Sequence, residues 1–461
     1  MISRALKRSI SLSVAAIAIL GVVSAQSTSA QGDGSGGRAV AHHAGGEKID
    51  DPSITGRAPE AHLLRTGMKA LEPTLGISKD GIIYFVATPG LGAEILRSVD
   101  GGRRWETVSP RLGDRNAHPV TLDPYVYLDK WTGRLFTIDL TVACSYLSYT
   151  DDLEVGWTTN PLACGRPVND HQTLFSGPPV SSTPIGYDNI VYYCWNDVAT
   201  SSCSKSLDGG LTFTVTGSPA YLGPNTEKTE NCGGLHGHGV VGEDGTIFLP
   251  REYCEQPWLA ISRDEGLTWE HVRVSNKTAI WGPDPSVDVD EKGNVYYVYL
   301  DKDRLPYLVV SRDNGKTWSK PKMIASPGLT ETVHATIDAG DPGSVAVAYY
   351  GTDDVKGPIE EREYSQEVEW SAYITMTTDA FSNDPVFYTG QVNASDDPMA
   401  RGPCGPRRCY DALDFIDVVI APNGIPYAAL ADSCFGPCVG PGAPVQTSGV
   451  VGALVGGPRL R

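Results

Sequence analysis

Along most of the chain the apolar positions come in short runs rich in Val, Ile, Tyr and Thr, cut by Gly, Pro, Asn and Asp. Such runs predict strands joined by tight turns. A 3.6-residue period persists almost nowhere, so the pattern predicts a nearly all-β chain. One shape keeps returning. It reads E-P-T-L-G-I-S-K-D-G-I-I-Y-F from Glu72 and D-P-Y-V-Y-L-D-K-W-T-G-R-L-F from Asp123. It reads H-G-H-G-V-V-G-E-D-G-T-I-F-L from His236 and D-P-S-V-D-V-D-E-K-G-N-V-Y-Y from Asp284. Looser copies begin at His171, His334 and Phe415. Each is a strand, a turn with Gly or Asn-Gly, and a second strand. Each first strand is mostly apolar, as a strand buried between neighbours must be.

A second motif recurs between these hairpins: S-V-D-G-G-R-R-W (98–105), S-L-D-G-G-L-T-F (206–213), S-R-D-E-G-L-T-W (262–269) and S-R-D-N-G-K-T-W (311–318). Two hairpins per unit, repeated at about fifty residues, predict a β-propeller of four-stranded blades. The units predict seven blades, with six as the alternative; a β-sandwich would not repeat its sequence. The octet Ser-x-Asp-x-Gly-x-x-aromatic resembles the Asp-box, or BNR repeat, of sialidase-like propellers. That resemblance implies that each box closes the turn between a blade's third and fourth strands. Its Ser and Asp would bond the turn backbone, its Gly would take a left-handed conformation, and its aromatic would plug the gap between strands. Degenerate copies stand at 148–157 and at T-M-T-T-D-A-F (375–381). The ring is expected to close through V-V-G-A-L-V-G-G-P-R-L-R (450–461) or through residues around Leu63.

The 461 residues and a 41% hydrophobic content allow a large core. Residues 1–30 read as a signal peptide: Arg4, Lys7 and Arg8 precede A-A-I-A-I-L-G-V-V, with small residues at Ala25 and Ala30 for cleavage. The apolar run is too short to span a bilayer, so an exported, soluble protein without membrane insertion is expected. Residues 31–59, Gly-, Ser- and charge-rich, read as a disordered leader. Residues 60–461 read as one propeller domain. The stretch 353–408, with E-E-R-E-Y-S-Q-E-V-E-W, reads as an insertion between blades six and seven, a lid or a decoration. Ten cysteines in an exported chain predict local disulfides. Plausible pairs are Cys144–Cys164, Cys194–Cys203, Cys232–Cys254, Cys404–Cys409 and Cys434–Cys438.

A formal net charge of −18 argues against nucleic acid, whose phosphates need clustered Lys and Arg. Calcium or cationic partners fit better. In propellers the innermost strand enters from the face that carries the ligand site. The first residues of the repeated units therefore predict an axial cluster: Glu72, Asp123, His171, His236, Asp284 and His334, with Asp417 and His238 two positions further along their strands. Such carboxylates and imidazoles can act as general acid and base. His236, His238 and His334 are candidate ligands of a divalent metal such as calcium. Arg251, Glu252, Asp301 and Arg304 end second strands on the same face and are candidates for substrate binding. Resemblance to sialidases further implies three arginines and a Tyr–Glu pair. Only Arg65 in H-L-L-R-T-G-M-K, with Arg251, Arg304 and Arg362, offers a guanidinium, and the local motifs do not match. The expected function is a glycoside hydrolase acting on a glycan or cell-surface ligand. The alternatives are a non-catalytic binding propeller, and a metal-assisted hydrolase or polysaccharide lyase using the axial His and Asp residues.

Overall fold

The computed structural model describes residues 28–29 and 34–461, apart from 91, 113–114, 117–120, 122, 142–144, 163–168, 198–199, 223–234, 277–283, 363–364, 366, 403–413 and 435–446. Among the described residues seven large antiparallel sheets follow one another along the chain, with a two-stranded ribbon, Arg111–Leu112 and Arg115–Asn116, between the first and second. Their innermost strands are Leu75–Ile77, Pro124–Leu128, Asp170–Gly177, Val240–Val241, Ser286–Val289, Glu331–Ala339 and Asp417–Ile420. Each innermost strand packs against the next, and the seventh packs against the first, so the sheets close a ring about a central channel. The chain is a seven-bladed all-β propeller.

Closure joins both expected segments. Blade seven takes its third strand from Ser448–Val455 and its fourth from Glu60–Arg65, paired Gly452 to Leu63. A ring sealed by strand pairing between distant parts of the chain has no open sheet edge at the seam. Residues 34–59 are not a disordered leader. Gly34–Arg38 adds a fifth strand to blade seven and Val40–His42 adds one to blade six. Alternation rescues this polar stretch: Ala39, Ala41 and the His42 ring are buried, the last with its Nε2 2.8 Å from Thr389 Oγ1. Thr28–Ser29 pairs with Arg104 and Trp105 of blade one; residues 1–27 of the expected signal peptide lie outside the described residues.

Residues 353–408 are not an insertion either. They contain the third and fourth strands of blade six, Glu369–Thr377 and Phe387–Gln391. The degenerate 375–381 box hid that assignment, yet it still works as a clasp: Thr377 Oγ1 donates to Asp379 Oδ1 at 2.7 Å.

All four full octets sit between a third and a fourth strand. In each the Ser hydroxyl accepts the Gly N–H at 2.8–2.9 Å and donates to the Asp at 2.7–3.0 Å. The Asp also accepts a backbone N–H near the end of the octet, Arg104, Thr212, Thr268 or Thr317. Gly102 at φ 92° adopts a backbone that L side chains disfavour, and a Cβ there would stand 2.8 Å from Leu64 Cδ1. Trp105 is buried against Phe85, with its indole N–H donating to Gly102 O at 2.9 Å. Burial of such an aromatic contributes roughly 3–5 kcal/mol.

The ring is stapled inside as well. Val126 N donates to Thr74 Oγ1 at 2.7 Å, joining blades one and two. Ala339 N donates to Asp288 Oδ2 at 2.7 Å, Ile420 N to Asp338 Oδ2 at 2.6 Å and Leu75 N to Asp417 Oδ2 at 3.1 Å. Cys194 and Cys203 face each other on neighbouring strands of blade three and form a disulfide. Cys254 and Cys434 each belong to a further disulfide. The other expected pairs each have a member outside the described residues.

Candidate active site

Inner strands run from one axial mouth towards the clasp face. At that mouth the backbone departs from regular strand. Glu72, His171 and His334 have φ of 48°, 47° and 56°, left-handed values rare outside glycine. Blades three and six each carry one extra residue here, with the pairing register shifting between Asp170 and Thr173 and between Val333 and Thr336. Bulges of this kind re-aim a side chain. Each such residue costs on the order of 1–3 kcal/mol and persists only where its surroundings hold it.

The result is convergence. His171, His238, Asp284, His334, Asp414 and Phe415 line one axial cavity. His171 Nε2 lies 2.6 Å from Asp284 Oδ2, an ion-pair contact without hydrogen-bond alignment. Burial works against the His171 imidazolium, but the Asp284 carboxylate outweighs it and lifts the pKa to about 9. Burial also pushes the Asp284 carboxyl up, against the pull of His171. Within this unit each partner favours the charged form of the other, imidazolium on His171 and carboxylate on Asp284.

Glu72 and Asp123 form the second unit. Glu72 is almost fully buried, and its Oε1 accepts the Asp414 N–H at 2.8 Å. Burial first, then the Asp123 and Asp414 charges, push its pKa well up. Asp123 is raised by burial too, while its contact with Glu72 pulls it back. One proton shared across this carboxyl pair satisfies both.

Two histidines complete the wall. His238 packs its ring against Tyr125 and Phe415 at 5.0 Å and stacks on His171 at 6.3 Å. His236 lies 6.0 Å from His171, with its Nδ1 3.0 Å from Gly237 O. Burial and the neighbouring His171 charge lower both, His238 to about 3, so both stay neutral. Tyr125, His238 and Phe415 together floor the mouth.

Several expected residues lie elsewhere. Asp417 sits deeper in the channel, where it accepts the N–H groups of Leu75 and Val418, and burial raises it to about 7. Arg251 is wedged between Tyr221 and Tyr253 and donates to Ser201 Oγ at 3.2 Å. Glu252 is buried beside it rather than exposed on a rim, and burial raises it to about 8. Asp301 and Arg304 build a tight turn in blade five, Arg304 N donating to Asp301 O at 2.8 Å. Arg304 and Arg362 both bind the buried Glu331, at 2.6 and 2.9 Å. Arg65 binds Asp432 at 2.7 Å and Asp397 at 3.2 Å. Of the expected substrate-binding set, Arg304 is committed to an internal ion pair and Asp301 to a turn, whereas Arg251 forms a β-bridge with His236 and its charge reaches Asp284.

The metal expectation also changes. Among the described residues no group of three or more His, Cys, Asp or Glu side chains is arranged to hold a metal ion. His236, His238 and His334 thus do not form the expected ligand set. His238 is instead packed against Tyr125 and Phe415, and His236 Nδ1 is taken up by Gly237 O. Asp414 is the residue that sequence reasoning missed. Its signal was D-F-I-D (414–417), where alignment on the following turn pointed to Phe415 instead.

The BNR/Asp-box repeat family matches residues 309–320. Solved structures of similar fold include the BP39L lectin from Burkholderia pseudomallei, with a TM-score of 0.49 and 10% identity over 82% of this chain and 99% of that one. An α-L-arabinofuranosidase from Fusarium graminearum has a TM-score of 0.41 and 14% identity, covering 70% of this chain and 92% of its own. A Trypanosoma rangeli sialidase variant has a TM-score of 0.40 and 13% identity, covering 76% of this chain and 57% of its own. Comparison with curated proteins gives no match. Four Ser–Asp–Gly–aromatic clasps close third-to-fourth-strand turns of this seven-bladed propeller, and the one at 311–318 lies within the segment that matches the BNR/Asp-box repeat.

Proposed function

We propose that this propeller is an exported glycoside hydrolase whose catalytic centre is the axial mouth. The observation that carries the proposal is an axial cavity lined by the left-handed, non-glycine His171 and His334 together with Asp284 and Asp414, with the equally left-handed Glu72 bonded to Asp414 N–H at its edge. Backbone strain and burial both work against folding there, which is the signature of a site kept for chemistry.

Glycosidic cleavage needs an un-ionised acid and a carboxylate. Glu72, holding its proton above the usual carboxylate range, is the general acid that protonates the leaving oxygen. Water supplies the hydroxyl for the anomeric carbon, and a neighbouring carboxylate, Asp123 or Asp414, takes the water's other proton or stabilises the positive charge on the sugar. The His171–Asp284 unit fixes the cavity wall and its charge. Classical sialic-acid hydrolysis is disfavoured, because Arg65, Arg304 and Arg362 are already bound by the protein's own carboxylates. Export is supported by the basic and apolar opening sequence and by the Cys194–Cys203 disulfide.

The test is hydrolysis of a panel of aryl glycosides and polysaccharides by wild type, Glu72→Gln and Asp123→Asn. Removal of the acid is expected to lower kcat/KM by roughly 10²–10⁴-fold. Turnover unchanged in Glu72→Gln overturns the proposed centre. Glycan binding without turnover in wild type would replace hydrolase with binding module.

A further inference from the structure

We infer that the axial mouth selects sugars carrying a free, protonated amino group, such as 2-amino-2-deoxy residues with an unacetylated nitrogen, and that Asp284 receives the ammonium. The inference rests on the hydrolase reading above and names its substrate class.

Three observations converge. The first is the charge of the cavity. Carboxyl groups of Glu72, Asp123, Asp170, Asp284 and Asp414 act on one another and on His171 across the mouth. Even with one proton shared between Glu72 and Asp123, these carboxyl groups outnumber the protonated His171 and the Arg251 guanidinium that act on them.

The second is that guanidinium groups which would invite a sugar carboxylate are committed inside the protein. Arg65 is bound by Asp432 and Asp397, and Arg304 and Arg362 by Glu331. Arg251 stacks between two tyrosines and is answered by Glu252 and Asp284. An anionic sugar entering this mouth meets like charge, while a cationic one meets opposite charge in a site with little water to screen it.

The third observation is a vacant acceptor. The Asp284 side chain is only 9% exposed and lines the cavity. Its Oδ2 contacts His171, whereas its Oδ1 has no hydrogen-bond partner among the described residues. A buried carboxylate oxygen without a donor is costly, and a donor arriving with the ligand removes that cost. An ammonium brings three N–H donors and a full charge. An acetamide brings one N–H, no charge and extra bulk, and a hydroxyl brings no charge at all. The acceptor and the field together discriminate the nitrogen's state rather than the ring.

The experiment is calorimetric titration of a tetramer of glucosamine, its N-acetylated counterpart, cellotetraose and sialyllactose. Wild type, Glu72→Gln and Asp284→Asn are used, each checked by thermal melting. The amino tetramer is expected to bind at least tenfold tighter than the acetylated one, with the preference fading as salt rises and as pH passes the amine's own pKa. Asp284→Asn is expected to erase that preference. Since wild-type selectivity is itself a readout, an unfolded variant does not blunt the test. Equal or tighter binding of acetylated, neutral or sialylated sugar by a protein that hydrolyses glycans overturns the amine selectivity alone. An unchanged preference in folded Asp284→Asn overturns the role of Asp284. Absence of both binding and hydrolysis with every glycan tested overturns the hydrolase reading beneath it.

Discussion

The two faces of the ring hold the same residue type in opposite states. On the clasp face burial nudges Asp208, Asp264 and Asp313 upward, but Thr hydroxyl, Thr N–H and Ser donors outweigh it and hold all three below the usual carboxylate range. At the mouth Glu72, Asp123 and Asp284 are pushed up, because burial there dominates and donors are scarce. The clasps repeat, satisfy the Ser and Asp at their centre and close on a left-handed glycine, with Glu265 and Asn314 also left-handed beside it. The mouth does not repeat, leaves carboxyl and imidazole atoms unsatisfied and holds Glu72, His171 and His334 in left-handed backbone. One face is built for stability, the other at stability's expense.

The largest expected effect separates the faces by activity. Glu72→Gln should lower kcat/KM by about 10²–10⁴-fold, whereas Ser262→Ala on the clasp face should leave kcat/KM within twofold. Steady-state kinetics on the same glycoside checks both. Next in size is Trp105→Ala, expected to cost about 3–5 kcal/mol of stability, read by denaturant titration; an effect below 1 kcal/mol would deny the clasp its structural role. Gly102→Ala combines φ 92° with the approach of Leu64 and should cost about 1–3 kcal/mol. Ser262→Ala removes a buried hydroxyl that serves both Gly266 N and Asp264, for about 1–3 kcal/mol.

The smallest effects are in pH, and their signs differ between the faces. Glu265, in the third clasp, is raised by burial but lowered overall to about 2 by Lys205, Ser182 and the N–H groups of residues 180–182. A depressed carboxylate contributes stability that is present above about 4.5 and lost as pH falls towards 2. His171 is raised to about 9, so its contribution is complete below about 6.5 and disappears as pH climbs through 9. Melting curves should show Glu265→Gln flattening the acid limb and His171→Asn the alkaline limb. Asn is chosen because it tolerates the left-handed backbone at φ 47°.

How much of this was legible in the chain follows from the same contrast. The clasps are local: Ser98, Asp100, Gly102 and Trp105 meet within eight residues, so the octet alone gives their geometry. The repeat then gives seven blades. The axial cluster was legible in outline, since strand starts such as Glu72 and His171 face one hub in any propeller. Its details were not. Pairing His171 with Asp284 links residues two blades apart, and no short-range pattern encodes that distance. Asp414 was masked by the looseness of its unit, and Asp417 proved to be a staple to Leu75. The arginines misled because a sequence shows charge but not the carboxylate, such as Glu331, that already answers it. The Gly-rich stretch before Ala39 misled because its partner, Glu60–Arg65, is itself set by pairing with 450–455, and the following Val40–His42 pairs with 387–389.

The claim on which the rest depends is that Glu72 is held un-ionised at the hub against the interests of folding. Thermal melting of Glu72→Gln against wild type between pH 4 and pH 8 tests it directly. A carboxyl raised in the folded state loses stability as pH rises above about 4.5. Glutamine should therefore match wild type near pH 4 and melt increasingly above it towards pH 8. A variant that melts below wild type by a constant margin at every pH would contradict the claim.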